Sequence, residues 1–234
     1  MRYVAHFSGG ARPASVVLPT RCPATNVIRE TALNARKLLI ATNNPGKARE
    51  IGAILAAIPL ELVQPKQLGI ELDVDESGST FYENARLKAL AFARAVNLPA
   101  IADDSGLEIS VLGGWPGIHS VRWAGPGAQD ADRRRLLLAR LVGRPAAERA
   151  ARFVCSVVLA LPDRVVADAT GVLPGRIAEA ERGDGGFGYD PIFIPDGFDQ
   201  TLAELPGGLK NSLSHRYRAL RQLWPLLEGL AAEP

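Results

Sequence analysis

The stretch RFVCSVVLALPDRVVADATGV, residues 152–172, constrains the fold more than any other part of this sequence. Two apolar runs flank the two-residue link Pro162-Asp163. That pattern predicts an antiparallel strand pair joined by a tight turn, although the link lacks the Gly of the favoured hairpin types. Around the pair, short apolar runs alternate with segments of helical spacing. Interleaved strands and helices indicate an α/β fold. A hairpin in their midst makes the sheet mixed rather than purely parallel.

The remaining elements follow from periodicity and turn chemistry. KLLIA (37–41) reads as a buried strand ending in the turn TNNPGK. The helix KAREIGAILAAI follows, with Ile51, Ile54, Leu55 and Ile58 on one face. LELVQ (60–64) is a second strand. Thr80 and Glu83 predict a capping box opening the helix FYENARLKALAFARAV. LPAIA then reads as a strand, DDSG as a turn and LEISVL as a further strand. DADRRRLLLARLV is helical, with Asp130 or Asp132 near its start. The last helix, SHRYRALRQLWPLL, places Tyr217, Leu220, Trp224 and Leu227 on one face, and Pro225 is expected to kink it or end it early.

The chain of 234 residues can bury one sizeable core, and a 47% hydrophobic, 22% charged composition is that of a globular protein. A net charge of +2, from 27 basic and 25 acidic side chains, is too balanced for a nucleic-acid or membrane-surface binder. Any anionic ligand must therefore be held locally. Cys22 and Cys155, the only cysteines, form no C-x-x-C pair. No disulfide framework and no structural zinc are expected, and a reducing, cytoplasmic setting fits. No apolar run reaches membrane-spanning length. Residues 1–36 lack periodicity and are rich in Gly, Pro, Ala, Thr and Asn. They are expected to be a disordered extension or the product of a start codon assigned too far upstream, with the folded domain at 37–234.

Four constellations carry candidate chemistry. In Thr42-Asn43-Asn44-Pro45-Gly46-Lys47, a strand-to-helix loop offers backbone N–H groups and a cation to an anion. It reads equally as a Pro-Gly turn capping a helix, and it is not a Walker A loop. Asp73, Asp75, Glu76, Asp103 and Asp104 are hard oxygen ligands of the kind Mg²⁺ takes, although DVDESG by itself reads more readily as a solvated acidic loop, and Asp103 or Asp104 as a cap on a turn. Adjacent aspartates on extended backbone point to opposite faces, so one can serve a cleft and the other structure. GDGGFGYDP (183–191) surrounds Phe187 and Tyr189 with glycines. Either ring could stack on a planar base, or plug the core, as Tyr189 is placed to do. KNSLSHR groups Lys210, His215 and Arg216 at the start of the last helix.

Taken in order, TNNPGK, ESGSTFYENARLKA, ADDSGLEISVLGGWPGIHS, GGFGYDPIF and LKNSLSHRYRAL resemble the inosine triphosphate pyrophosphatase family, the Ham1 or RdgB-type nucleotide house-cleaning enzymes. The resemblance covers about residues 37–230. It implies a homodimer with an elongated mixed β-sheet, flanking helices and two lobes around a nucleotide cleft. It implies Mg²⁺-dependent hydrolysis of ITP, dITP, XTP and dXTP to the monophosphate and pyrophosphate. By position, Thr42–Lys47 would hold the triphosphate. Asp104 would be metal ligand and proton acceptor, with Asp75 the other metal carboxylate and Glu76 its fallback. Ser105 would contact substrate. Phe187, Gly188, Tyr189 and Asp190 would form the base loop, with Lys210, His215 and Arg216 as further substrate contacts. Two other readings stay open here: a Maf-like pyrophosphatase of modified pyrimidine or m7G-type nucleotides, which SHR and FGYD disfavour, and a nucleotide-binding module without turnover.

Overall fold

The computed structural model describes residues 37–232, so the extension expected over residues 1–36 lies outside them. One six-stranded mixed sheet carries the fold, in the order β2-β1-β3-β4-β5-β6. Its strands are β1 (Lys37–Ile40), β2 (Glu61–Val63), β3 (Ala100–Ile109), β4 (Ala150–Ala160), β5 (Val165–Ile177) and β6 (Phe193–Pro195). β1 is parallel to both β2 and β3, and the other pairings are antiparallel. The helices are α1 (Pro45–Leu55), α2 (Phe81–Val96), α3 (Asp130–Arg140), α4 (Gly207–Leu213) and α5 (His215–Ala231).

The expected hairpin is present. Leu161 and Arg164 exchange backbone hydrogen bonds at 2.8 and 3.3 Å across Pro162-Asp163, and the register slips between Leu159 and Ala160. Its strands are long, which lets β3–β5 outrun the short β1 and β2. Two apolar layers sandwich the short-strand end. Ile51, Leu55, Leu220, Leu223 and Leu227 of α1 and α5 cover one face, and Ala85, Ala89 and Phe92 of α2 cover the other. A third cluster, with Leu107, Phe153, Leu173, Phe193 and Leu137, packs the far end of the long strands. These two ends answer to the expected lobes.

Three local expectations are corrected. DDSG is not a turn: β3 runs unbroken through it, and all 10 of its residues pair with β4. The Ser-Gly pair that suggested a turn serves a close approach, since a Cβ on Gly106 would lie 2.3 Å from the Gly117 carbonyl oxygen. Only half of the capping box forms. Thr80 Oγ accepts from the Glu83 N–H at 3.1 Å, but the Glu83 carboxylate reaches back to Ser79, accepting from its N–H at 2.6 Å. Pro225 does not end α5, because Leu227 and Leu230 beyond it are buried at 0% and 1% exposure and hold the last turns against the core.

Candidate active site

β1 stays paired with β3 only as far as Ile40 and Ile101. β3 continues past that point while the chain after β1 turns into α1. This brings the Thr42–Lys47 loop against Asp104 and Ser105, and Lys47 against Asp103. The loop is built from within. Asn44 caps α1, its Oδ1 accepting from the N–H groups of Gly46 and Lys47 at 2.8 and 3.1 Å. Thr42 Oγ accepts from the Asn44 N–H, and the Asn43 amide donates to the Leu72 carbonyl. Two N–H groups read as an anion cradle are thus held by Asn44, and Lys47 is the charged group the loop presents.

Alternation along β3 sends the paired aspartates to opposite faces. Asp103 is fully buried beneath α1 and α5, and its Oδ2 accepts from Lys47 Nζ at 3.1 Å and Arg216 Nη2 at 3.0 Å. Burial alone would raise its pKa; Lys47, Arg216 and Lys88 outweigh that and hold it far below the usual carboxylate range. Asp104 faces α2, where Asn84 donates to its Oδ2 at 3.2 Å and Lys88 Nζ lies 3.4 Å from its Oδ1. Burial raises the Asp104 pKa against the pull of Lys88 and Lys47.

Lys88 also pairs with Glu76 at 2.7 Å. Along the acidic loop Leu72, Val74 and Glu76 turn inward while Asp73 and Asp75 are exposed. Asp75 lines the same hollow, but Glu76 is the carboxylate that shares a cation with Asp104. Sequence reasoning passed over Asn84, Lys88 and Glu50. A signal existed for each: Asn84 and Lys88 are four apart on α2, and Glu50 is three from Lys47 on α1, so each shares its neighbour's face. Glu50 is buried between Arg216 and Lys210, whose Nζ is 2.6 Å from it and 2.6 Å from Asp190. Those carboxylates raise the Lys210 pKa despite burial.

The Gly-rich loop lies beside these charges. A Cβ on Gly46 would sit 2.9 Å from the Phe187 ring, so only Gly there lets that ring close over the start of α1. Lys210 Nζ is 5.0 Å from the same ring. Tyr189 is the core plug: its hydroxyl donates to the Ser120 carbonyl at 2.7 Å and accepts from Trp123 Nε1 at 2.6 Å, and burial pushes its pKa up to about 12. His215 stacks on Phe153 at 4.8 Å with an interplanar angle of 10°, and its Nδ1 has no partner. Burial and the Arg216 charge keep it neutral.

The result is a two-part cleft. One hollow holds Phe187, Phe153, His215 and Arg216. The other holds Lys47, Glu76, Lys88 and Asp104. Asn44, Lys47, Ser105 and Val121 line both and form the neck between them. Of the site residues expected from sequence, all but Pro45 and Gly46 line one of the two hollows, and Gly46 lies against the Phe187 ring.

Residues 38–226 match the family model described as Ham1. The chain belongs to the Ham1 family. Proteins of Streptomyces coelicolor and Bacillus subtilis, each named dITP/XTP pyrophosphatase, are 47% and 44% identical to this Ham1 chain. Each alignment covers 83% of it and 98% of the relative. A Ham1 protein structure from Coxiella burnetii matches with a TM-score of 0.73 at 38% identity, covering 82% of this chain and 98% of its own. The Staphylococcus aureus Ham1 structure matches at 0.72 and 40%. No helix among the described residues of the Ham1 chain is long and apolar enough to cross a membrane.

Proposed function

We propose that this chain hydrolyses non-standard purine nucleoside triphosphates, ITP, XTP and their deoxy forms, to the monophosphate and pyrophosphate. Mg²⁺ assists, and the working form is a cytoplasmic homodimer that cleanses the nucleotide pool. The observation that carries the reading is the two-part cleft, an aromatic slot with buried polar donors joined to a hollow of cations and carboxylates. The relatives' shared name supports the same reaction.

The residues divide the work by chemistry. Phe187 offers the base a π-face, and such stacking contributes about 1–3 kcal/mol. Arg216, fixed by Glu50 and Asp103, and backbone N–H groups present donors to the 6-oxo group of hypoxanthine or xanthine. The 6-amino group of adenine would set donor against donor, and a buried mismatch of that kind discriminates strongly. Lys47 and Lys210 offset charge on the phosphates and departing pyrophosphate. Asp104, its pKa raised by burial, is placed to take a proton from the attacking water.

The donor set suits Mg²⁺. Lys88 Nζ already bridges the Glu76 and Asp104 carboxylates, and two hard oxygen ligands are what this ion takes when phosphates complete its shell. Glu76 and Asp104 would hold it, with Asp75 at the rim of the same hollow. Bound there, Mg²⁺ supplies charge neutralisation and activates water.

The test is pyrophosphate release from ITP, XTP, dITP, ATP, GTP and UTP, with Mg²⁺ and with EDTA. Release from the 6-oxo, non-standard purines that EDTA abolishes is expected. Orthophosphate as the sole product, or preference for UTP, overturns the reading. Asp104→Asn should lower kcat by roughly a thousandfold while the unfolding midpoint holds.

A further inference from the structure

The walls of the aromatic slot come from two separate loops, Ser120–Val121 on one side and Phe187–Asp190 on the other. Both are tied to the N-terminal end of α3. Asp130 Oδ2 accepts from the Gly188 N–H at 2.8 Å, and Arg134 Nη1 donates to the Gly188 carbonyl at 2.9 Å. Gly188 has no side chain, so its two backbone polar groups are its handles, and α3 holds both. Arg134 is itself steadied by Glu181 at 2.9 Å. Arg133 secures the other wall. It donates to the carbonyls of Val121 and Ala128 at 3.0 and 2.6 Å and pairs with Asp130 Oδ1. Charged hydrogen bonds of this kind are short and strong, and they set geometry as well as energy. The helix beneath is firm, because Leu137 is fully buried among Leu107, Phe193 and Leu202. No α3 side chain lines the phosphate hollow.

We infer that Asp130 and Arg134 are positioning residues for base selection: they clip the Gly188 backbone so that Phe187 and its neighbours hold the slot at the width of a purine. Arg133 fixes the opposite wall from the same helical turn. The inference rests on the purine reading of the slot. It predicts that α3 governs how tightly and how selectively the base is held, while the phosphates are bound without it. A merely structural helix would affect both hollows alike.

The experiment compares wild type with Arg134→Met, Arg134→Lys and Asp130→Ala, using inhibition by IMP as the readout of the slot and inhibition by pyrophosphate as the readout of the phosphate hollow. In Arg134→Met and Asp130→Ala, KM for ITP and Ki for IMP should each rise roughly tenfold, kcat should fall by less than about threefold, and Ki for pyrophosphate should stay put. The preference for ITP over ATP should narrow in the same variants. Arg134→Lys, which keeps one donor, should recover part of the loss. Active wild type with variants that match it overturns the clip and leaves the purine reading standing. Equal weakening of IMP and pyrophosphate inhibition also overturns the clip, since that marks general disruption. Wild type that neither cleaves ITP nor binds IMP overturns the purine reading, and the clip with it.

Discussion

Buried charge is the dominant feature at the level of single residues. Lys47, Asp103, Arg216, Glu50, Lys210 and Asp190 form a chain of ion pairs with exposures between 0% and 8%. Desolvating such groups is costly, and replacing them with apolar side chains of similar volume is often neutral or stabilising. Their retention beneath a cleft fits a site that has to hold cations ready for a polyanion. His215 is the member with a testable acid–base signature. Its folded pKa lies well below the ordinary value of 6.5, chiefly through burial and then through Arg216. Between the two values the unfolded chain binds a proton that the folded chain refuses. The stability His215 contributes is therefore complete above pH 6.5 and is lost as pH falls below it, at up to about 1.4 kcal/mol per pH unit. Urea unfolding at pH 5, 6 and 7 should show the gap between wild type and His215→Asn shifting toward the variant as pH falls. A pH-independent gap counts against a buried neutral imidazole.

Among the elements, β3 and α5 depart furthest from local expectation, and for the same reason. DDSG carries turn-forming residues and Pro225 breaks helices, yet both segments keep regular structure because long-range partners hold them. β4 supplies a ladder partner for every residue of β3. Leu227 and Leu230 pin the end of α5 beside Ile54 and Ile58 in one apolar cluster. That makes the stretch after Pro225 dependent on packing. Leu227→Ala should cost about 2–5 kcal/mol of stability and raise hydrogen exchange selectively in residues 225–231. Loss of stability without that local exchange would mean that Pro225 is tolerated for another reason.

On the scale of the whole molecule, the described residues 37–232 carry the fold and the cleft. The relatives are matched over 98% of their length by 83% of this chain. A protein lacking residues 1–36 should retain pyrophosphate release from ITP, with kcat/KM within about twofold. A larger loss assigns those residues a part in catalysis. Light scattering on the full chain should give twice the 25.0 kDa mass, as the proposed homodimer requires. A mass of 25.0 kDa at assay concentration removes it.

Much of the architecture was legible along the chain, because strands, helices and their order depend on local periodicity. The hairpin at Pro162-Asp163, the start of α2 after Thr80 and the mixed sheet all came from patterns within a few residues of one another. The candidate residues were legible through ordered motifs. Their partners were not. Glu50 meets Arg216 across 166 positions, Lys88 meets Asp104 across 16, and Arg134 meets Gly188 across 54. Side-chain direction gave Glu76, not Asp75, a cation shared with Asp104, and sheet alternation decided that Asp103 is held by cations while Asp104 faces the cleft. Periodicity records which face a residue occupies. What lies opposite that face is settled only when distant elements pack, and there burial and Coulomb attraction make the choice.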